Sequence, residues 1–202
     1  MFKKTYDAVI CILVFIILSC VSLQSAENVY QSGSEKEYRH IIFEAEYYDA
    51  VDTDRQIKTY NLNAGLGYYP FEKLGLFGML VLSKNDGYSI DEFNPGLGRM
   101  NADSIGLGLA GLLRWHLVRI NRFSLFLDGS FGGIYYNNEF PPQGTSWNFM
   151  SRYGGGIDHQ LNAKTTLGFG YKLMHISNGK GLVDNNPAID SQSVYVSLKI
   201  NY

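Results

Sequence analysis

Much of the chain alternates between large apolar residues and small or polar ones. From Ile105 to His116, most odd-numbered residues are large and apolar, whereas the residues between them are mostly Gly, Ala or charged. Successive side chains of a β-strand point to opposite faces, so a period of two indicates a strand, and a helix would repeat at about 3.6 residues. The pattern predicts strands that each have one apolar face and one small or polar face.

Eight segments of this kind follow one another, and all are long. They are predicted at 37–50, 57–70, 74–84, 103–117, 122–137, 147–160, 164–177 and 190–202. Such lengths suffice for the roughly 9–11 tilted residues with which a strand crosses a membrane. Short turns near 70–73, 118–121 and 161–164 alternate with longer loops near 50–56, 84–102, 138–146 and 178–189. An even number of long antiparallel strands joined in this way is typical of bacterial outer-membrane barrels.

We therefore predict one all-β domain, 27–202, folded as an eight-stranded antiparallel transmembrane β-barrel of the bacterial outer membrane. The apolar faces would meet lipid, and small or polar residues would fill the narrow interior. Lys172, which has inward parity, is expected to pair with a carboxylate such as Asp128. The alternative, a soluble lipocalin-like barrel, would require a polar exterior.

The N-terminus has the pattern of a secretory signal. Lys3 and Lys4 precede an apolar run, 8–18, and a stretch of small and polar residues, which predicts a signal peptide over 1–26. A lipoprotein signal with Cys20 as the lipidated residue is the alternative. Both cysteines of the chain lie in this segment, so the predicted mature protein offers neither a disulfide nor a cysteine nucleophile.

Composition and charge exclude several functions. The chain is rich in Gly (22), Tyr (15) and Phe (12) but poor in Pro (5), a balance that suits many strands and few helices. A net charge of −2 without any basic run predicts no nucleic-acid partner. The glycine pattern 106–111 resembles a dinucleotide fingerprint but alternates as a strand with no helix after it. The histidines have no metal-ligand spacing, so we predict no cofactor and no metal.

The candidate chemistry lies near the C-terminus. His175 and Ser177 share the apolar face of the penultimate strand, and Asp190 shares that of the last strand, so the three can meet across one hairpin ladder. Ser177 would attack an ester carbonyl, His175 would carry its proton, and Asp190 would orient the imidazole. Asn178, with the backbone N–H groups of Asn178 and Gly179, would supply oxyanion donors.

The motif His-x-Ser-Asn at 175–178, followed by an acidic residue at the start of the last strand, resembles the outer-membrane lipid A 3-O-deacylase family. The resemblance implies an eight-stranded barrel that hydrolyses the 3-position ester of lipid A and releases a 3-hydroxy fatty acid. It also implies His175 as the catalytic histidine, Ser177 as the nucleophile and Asp190 as the acid. Two positions depart from the family pattern, which has Gly at Ala188 and commonly Glu at Asp190, and Asp184 is the alternative acid.

The predicted partners are lipid A, as part of lipopolysaccharide, and outer-membrane lipid, with the oligomeric state left open and a homodimer among the options. Lys180, beside the site, is either a contact for a lipid A phosphate or a solvated loop cation. Two rival functions remain: a structural or adhesive barrel whose polar residues decorate the rim, and another enzyme of membrane lipids such as a phospholipase or acyltransferase. The long loop 84–102, rich in turn-forming residues, would be a lid or an adhesive surface in these readings.

Overall fold

The structure is a computed structural model that describes residues 39–52, 54–90, 96, 98–179 and 187–202. The predicted signal peptide, 1–26, lies outside these residues, as do Lys180 and the alternative acid Asp184. Among the described residues, no helix has the length and apolar character needed to cross a membrane.

The described chain is built almost entirely of antiparallel strands. They are β1 (Arg39–Ala50), β2 (Arg55–Phe71), β3 (Leu74–Ile90), β4 (Arg99–Asn101), β5 (Ser104–Ile120), β6 (Phe123–Tyr136), β7 (Trp147–Gln160), β8 (Thr165–Ser177) and β9 (Ile189–Asn201). The long strands pair in the order β2-β1-β9-β8-β7-β6-β5-β3, and an additional pairing of β2 with β3 closes the sheet. The prediction of an eight-stranded antiparallel barrel is confirmed.

The predicted loop 84–102 is wrong over its first residues, because β3 continues to Ile90. Asn85 is paired on both sides: the Thr59 hydroxyl donates to its side-chain oxygen at 2.6 Å, and its amide donates to the Ser104 hydroxyl at 2.9 Å. Pairing with β2 and β5 thus overrides the local turn preference of the Asn-Asp-Gly sequence. The three-residue β4 extends the ladder of β3 beyond the barrel wall and has no counterpart in the prediction.

The two faces of the wall separate as the alternation predicts. Outward residues such as Leu107 and Leu109 are 58% and 69% exposed, whereas their neighbours in β5 are buried. A surface of exposed Leu, Ile, Phe and Tyr runs around the wall, which suits contact with lipid rather than water. The apolar exterior is inconsistent with a soluble lipocalin-like barrel.

The barrel interior is filled by a buried network of charges. Arg114 contacts three carboxylates: Glu44 at 3.0 Å, Asp128 at 2.8 Å and Asp158 at 3.4 Å. The inward charges of the described strands balance as four carboxylates and four cations, namely Glu44, Glu46, Asp128, Asp158, Arg114, Arg152, Lys172 and Lys199. A buried charge is tolerated only when it is paired, so this balance lets a narrow barrel hold eight ionised groups.

Lys172 confirms the predicted inward pairing, with two carboxylates closer than the expected one. Its ammonium group lies 2.8 Å from both Glu44 and Glu46, and 3.8 Å from Asp128. Lys172 therefore belongs to the ion-pair network inside the barrel and not to the candidate chemistry on the outer face.

An apolar layer covers this network at the end of the barrel that carries the long loops. Its buried members come from the loop end of β6, β7, β8 and β9 and from the β6–β7 loop: Tyr136, Phe140, Met150, Met174, Ile176 and Ile189. The β6–β7 loop is held over the barrel by Asn148, whose amide donates to the carbonyl oxygen of Phe140 at 2.6 Å. The layer lies directly behind the outward residues of β8 and β9.

Candidate active site

His175 and Asp190 form a hydrogen-bonded pair on the outer face of the barrel. They stand directly opposite each other in the β8–β9 ladder, and the imidazole Nδ1 lies 2.8 Å from a carboxylate oxygen of Asp190. Because a carboxylate only accepts, Nδ1 carries the proton and donates it to this bond. The other ring nitrogen, Nε2, is then left unprotonated in the neutral imidazole and can accept a proton from a nucleophile.

The apolar layer inside the barrel explains why the pair points outward. Ile176 and Ile189 are opposite each other in the same ladder and are 0% and 1% exposed. Since side chains alternate along a strand, burial of these two isoleucines directs their neighbours His175 and Asp190 to the outer face. The pair is open to its surroundings, with the side chain of His175 43% exposed and that of Asp190 64% exposed.

Ser177 lies on the same face as His175, at the last position of β8. Within the described residues the Ser177 hydroxyl makes no hydrogen bond to His175, and Nε2 of the imidazole has no partner among them. Residues two apart on a strand have Cα atoms about 6.5–7 Å apart, and rotation of the two side chains can bring the hydroxyl nearer to the imidazole than this backbone separation. Catalytic hydrogen bonds are often loose without substrate, so this spacing is compatible with the predicted role of Ser177 and does not test it.

The two predicted oxyanion residues follow Ser177 directly. Asn178 is 1% exposed and therefore lies on the opposite side of the chain from the half-buried Ser177. Gly179 has a φ of 84°, the left-handed region that a residue without a Cβ adopts readily, and it turns the chain out of β8. The role of Asn178 and Gly179 as oxyanion donors stays a prediction.

An aromatic surface borders the pair on the β7 side. Phe149 stands opposite Ser177 in the ladder, and it stacks on Phe131 with ring centroids 5.9 Å apart and meets Trp147 edge-on at 5.6 Å. On the β9 side the neighbours are polar, since the Tyr171 hydroxyl donates to Gln192 at 2.9 Å. The candidate site thus lies where an apolar surface meets a polar one.

Sequence reasoning missed the β7 contribution to this site. The alternation of 147–160 shows which residues of β7 face outward, and Ser151 is among them. Which of them stands beside His175 depends on the register of the β7–β8 hairpin, which the alternation alone does not fix. The structure pairs Ser151 with His175.

A closed eight-stranded barrel with an apolar outer wall, a charge-balanced interior and long loops at one end is an outer-membrane β-barrel. Here the barrel carries a His–carboxylate pair on its outer surface. The family model described as lipid A 3-O-deacylase (PagL) matches residues 51–199, and the chain belongs to that family. The resemblance seen in the C-terminal motif and the outer-membrane location are confirmed.

Solved structures show the same fold. The outer membrane enzyme PagL is 18% identical, with a TM-score of 0.55 over 77% of this chain and 97% of that one. Neisserial surface protein A is 10% identical, with a TM-score of 0.56 over 85% of this chain and 100% of that one. At these identities the likeness concerns the barrel alone. A search of curated proteins gave no significant match.

Proposed function

We propose that the protein is a lipid A 3-O-deacylase. It would work as a serine esterase whose active site lies on the outer, lipid-facing surface of the barrel. The observation that carries the proposal is the 2.8 Å bond between His175 and Asp190 on the lipid-facing surface of a chain from this family. In a structural or adhesive barrel, a polar histidine at the rim would need neither a fixed imidazole orientation nor a serine beside it. Asp190 fixes the imidazole so that its unprotonated nitrogen points away from β9. Ser177 lies on the same outer face of the barrel as this imidazole.

The reaction proceeds in two balanced steps. Ser177 Oγ bonds to the ester carbonyl carbon while His175 takes the hydroxyl proton, and the bond from that carbon to the sugar oxygen then breaks as His175 protonates the departing oxygen. Water, deprotonated by His175, next attacks the acyl carbon, and the bond from that carbon to Ser177 Oγ breaks as His175 returns the proton to Oγ, which releases the fatty acid and free Ser177. Asp190 stabilises the imidazolium in both steps, and the N–H groups of Asn178 and Gly179 are the proposed donors to the oxyanion.

The outward position suits a substrate that is itself a membrane lipid. Bacterial barrels carry their long loops on the outer side, and β8 ends at Ser177 on that side, which is also the side of lipopolysaccharide. The acyl chain can stay in the hydrocarbon layer along the aromatic surface around Phe149 while the sugar lies at the water interface. The substrate then needs no passage through the charged interior of the barrel.

The test is mass spectrometry of lipid A from a host that expresses the wild-type chain or Ser177→Ala at equal outer-membrane abundance. The proposal expects loss of one 3-hydroxyacyl group with the wild type only. Thr166→Ala, a change near the other end of β8, is the matched control and should behave as the wild type. Unchanged lipid A with every variant, repeated with purified lipid A in detergent, would contradict the proposal and favour the structural or adhesive barrel, whereas loss of an acyl group from phospholipid would favour a phospholipase.

A further inference from the structure

Ser151 stands beside His175 on the side away from Asp190. The β7–β8 ladder pairs Ser151 with His175, and the β8–β9 ladder pairs His175 with Asp190. Acid, histidine and serine therefore lie in one row across three strands, with facing Cβ atoms about 4.5–5.5 Å apart. This row places a second hydroxyl next to the imidazole in addition to that of Ser177.

Ser151 is a polar residue among aromatic neighbours on its own strand and on β6. On β7 it lies between the outward residues Phe149 and Tyr153, and its partner on β6 is Phe131. Its hydroxyl makes no hydrogen bond within the described part of the chain. A hydroxyl facing hydrocarbon without a partner is unfavourable, so a polar group of a bound lipid is the natural partner for it.

The position of Ser151 relative to Ser177 indicates which polar group this is. Ser177 pairs with Phe149, and Ser151 pairs with His175. Ser151 therefore lies two residues farther along the ladder from the loop end of the barrel than Ser177 does. Diagonal neighbours of this kind are about 7–8 Å apart. A group that lies between them must belong to the acyl chain just beyond the carbonyl carbon that Ser177 attacks.

We infer that Ser151 is a specificity-determining residue that hydrogen-bonds the 3-hydroxyl of the acyl group being removed. This hydroxyl is on the second carbon past the carbonyl carbon, on the membrane side of the ester. A near-attack distance of about 3–3.5 Å at Ser177 and a hydrogen bond of about 2.8 Å at Ser151 together span the diagonal between the two serines. The inference rests on the proposed function, and it adds recognition of 3-hydroxyacyl over plain acyl esters.

The experiment compares a 3-hydroxyacyl ester and its 3-deoxy counterpart on the same glucosamine phosphate, in detergent micelles, as kcat/KM ratios. A neutral hydrogen bond predicts that the wild type favours the 3-hydroxyacyl ester by about threefold to tenfold. Ser151→Ala should bring the ratio close to one, chiefly by lowering kcat/KM for the 3-hydroxyacyl ester. Ser151→Thr, which keeps the hydroxyl and suits a strand, should keep the preference.

The controls separate this inference from the proposed function. Heat-modifiable gel mobility shows whether each variant is folded. A wild-type ratio near one, an unchanged ratio in Ser151→Ala, or an equal loss on both esters would overturn the role of Ser151 while the deacylase activity stands. A wild type that hydrolyses neither ester would overturn the proposed function and this inference together.

Discussion

Replacing Asp190 with Asn tests whether the hydrogen-bonded pair on the outer face works in catalysis. The substitution keeps the size of the side chain but removes its charge, and the amide can present its N–H₂ group to Nδ1. That contact would favour the imidazole tautomer with the proton on Nε2, which cannot accept the proton of Ser177. Asn at this position therefore disturbs the orientation of the imidazole and also removes the charge that stabilises the imidazolium.

The magnitude follows from the contact and its exposure. A hydrogen bond to a charged group contributes about 1.5–3 kcal/mol, which corresponds to about 10-fold to 150-fold in rate. The pair is half-exposed, with side-chain exposures of 43% and 64%, so screening moves the expectation to the lower part of this range. We expect Asp190→Asn to lower kcat about 10-fold to 50-fold with little change in KM, well short of the loss known for a buried triad acid.

The assay is hydrolysis of purified lipid A in detergent at saturating substrate, with Gln192→Ala as the matched control. Gln192 is the next outward residue of β9 and bonds Tyr171 rather than His175. Asp190→Glu, which restores the residue common in the family, should retain most of the activity. A wild-type rate in Asp190→Asn would refute the assignment and would leave Asp184 as the acid to test; an equal loss in Gln192→Ala would show that the β9 surface, not the charge, matters.

Three further outcomes are expected. Ser177→Ala should lose nearly all activity yet keep heat-modifiable mobility, because its side chain adds nothing to the barrel interior; residual activity near the wild-type rate would contradict the nucleophile. Glu46→Gln should destabilise the barrel by about 3–5 kcal/mol, since Arg152 and Lys172 lie 2.9 and 2.8 Å from this carboxylate and would lose a buried counter-charge. Unfolding in urea, followed by the gel shift, measures this loss. Gly154→Val should prevent folding into membranes, because a Cβ there would overlap a backbone carbonyl oxygen of β8.

The sequence alone predicts which residues form the outer wall of the barrel and that the candidate site lies on this outer face. Both predictions follow from the parity of residues along each strand. The alternation along each strand identifies outward and inward residues without any knowledge of the neighbouring strand. His175 and Asp190 could thus be assigned to one face, and the single hairpin between β8 and β9 made them neighbours. The sequence does not place Ser151 and the aromatic surface beside His175, because parity gives the face of each residue but not the exact register of the β7–β8 hairpin, and no motif in β7 marks the partner of His175.

The charged interior and the reactive exterior depend on each other. Ion pairs such as the one between Arg152 and Glu46 occupy the inward positions of the middle of the barrel, and a charged interior is a poor environment for a lipid acyl chain. Chemistry on a hydrophobic substrate is then available only on the outer surface, where Ser177 and His175 are held side by side without a hydrogen bond between them in the described chain. An ester that enters beside the aromatic surface of β7 would exclude water from the imidazole and strengthen its pairing with Asp190. Binding of the lipid is therefore the step that completes the proposed triad.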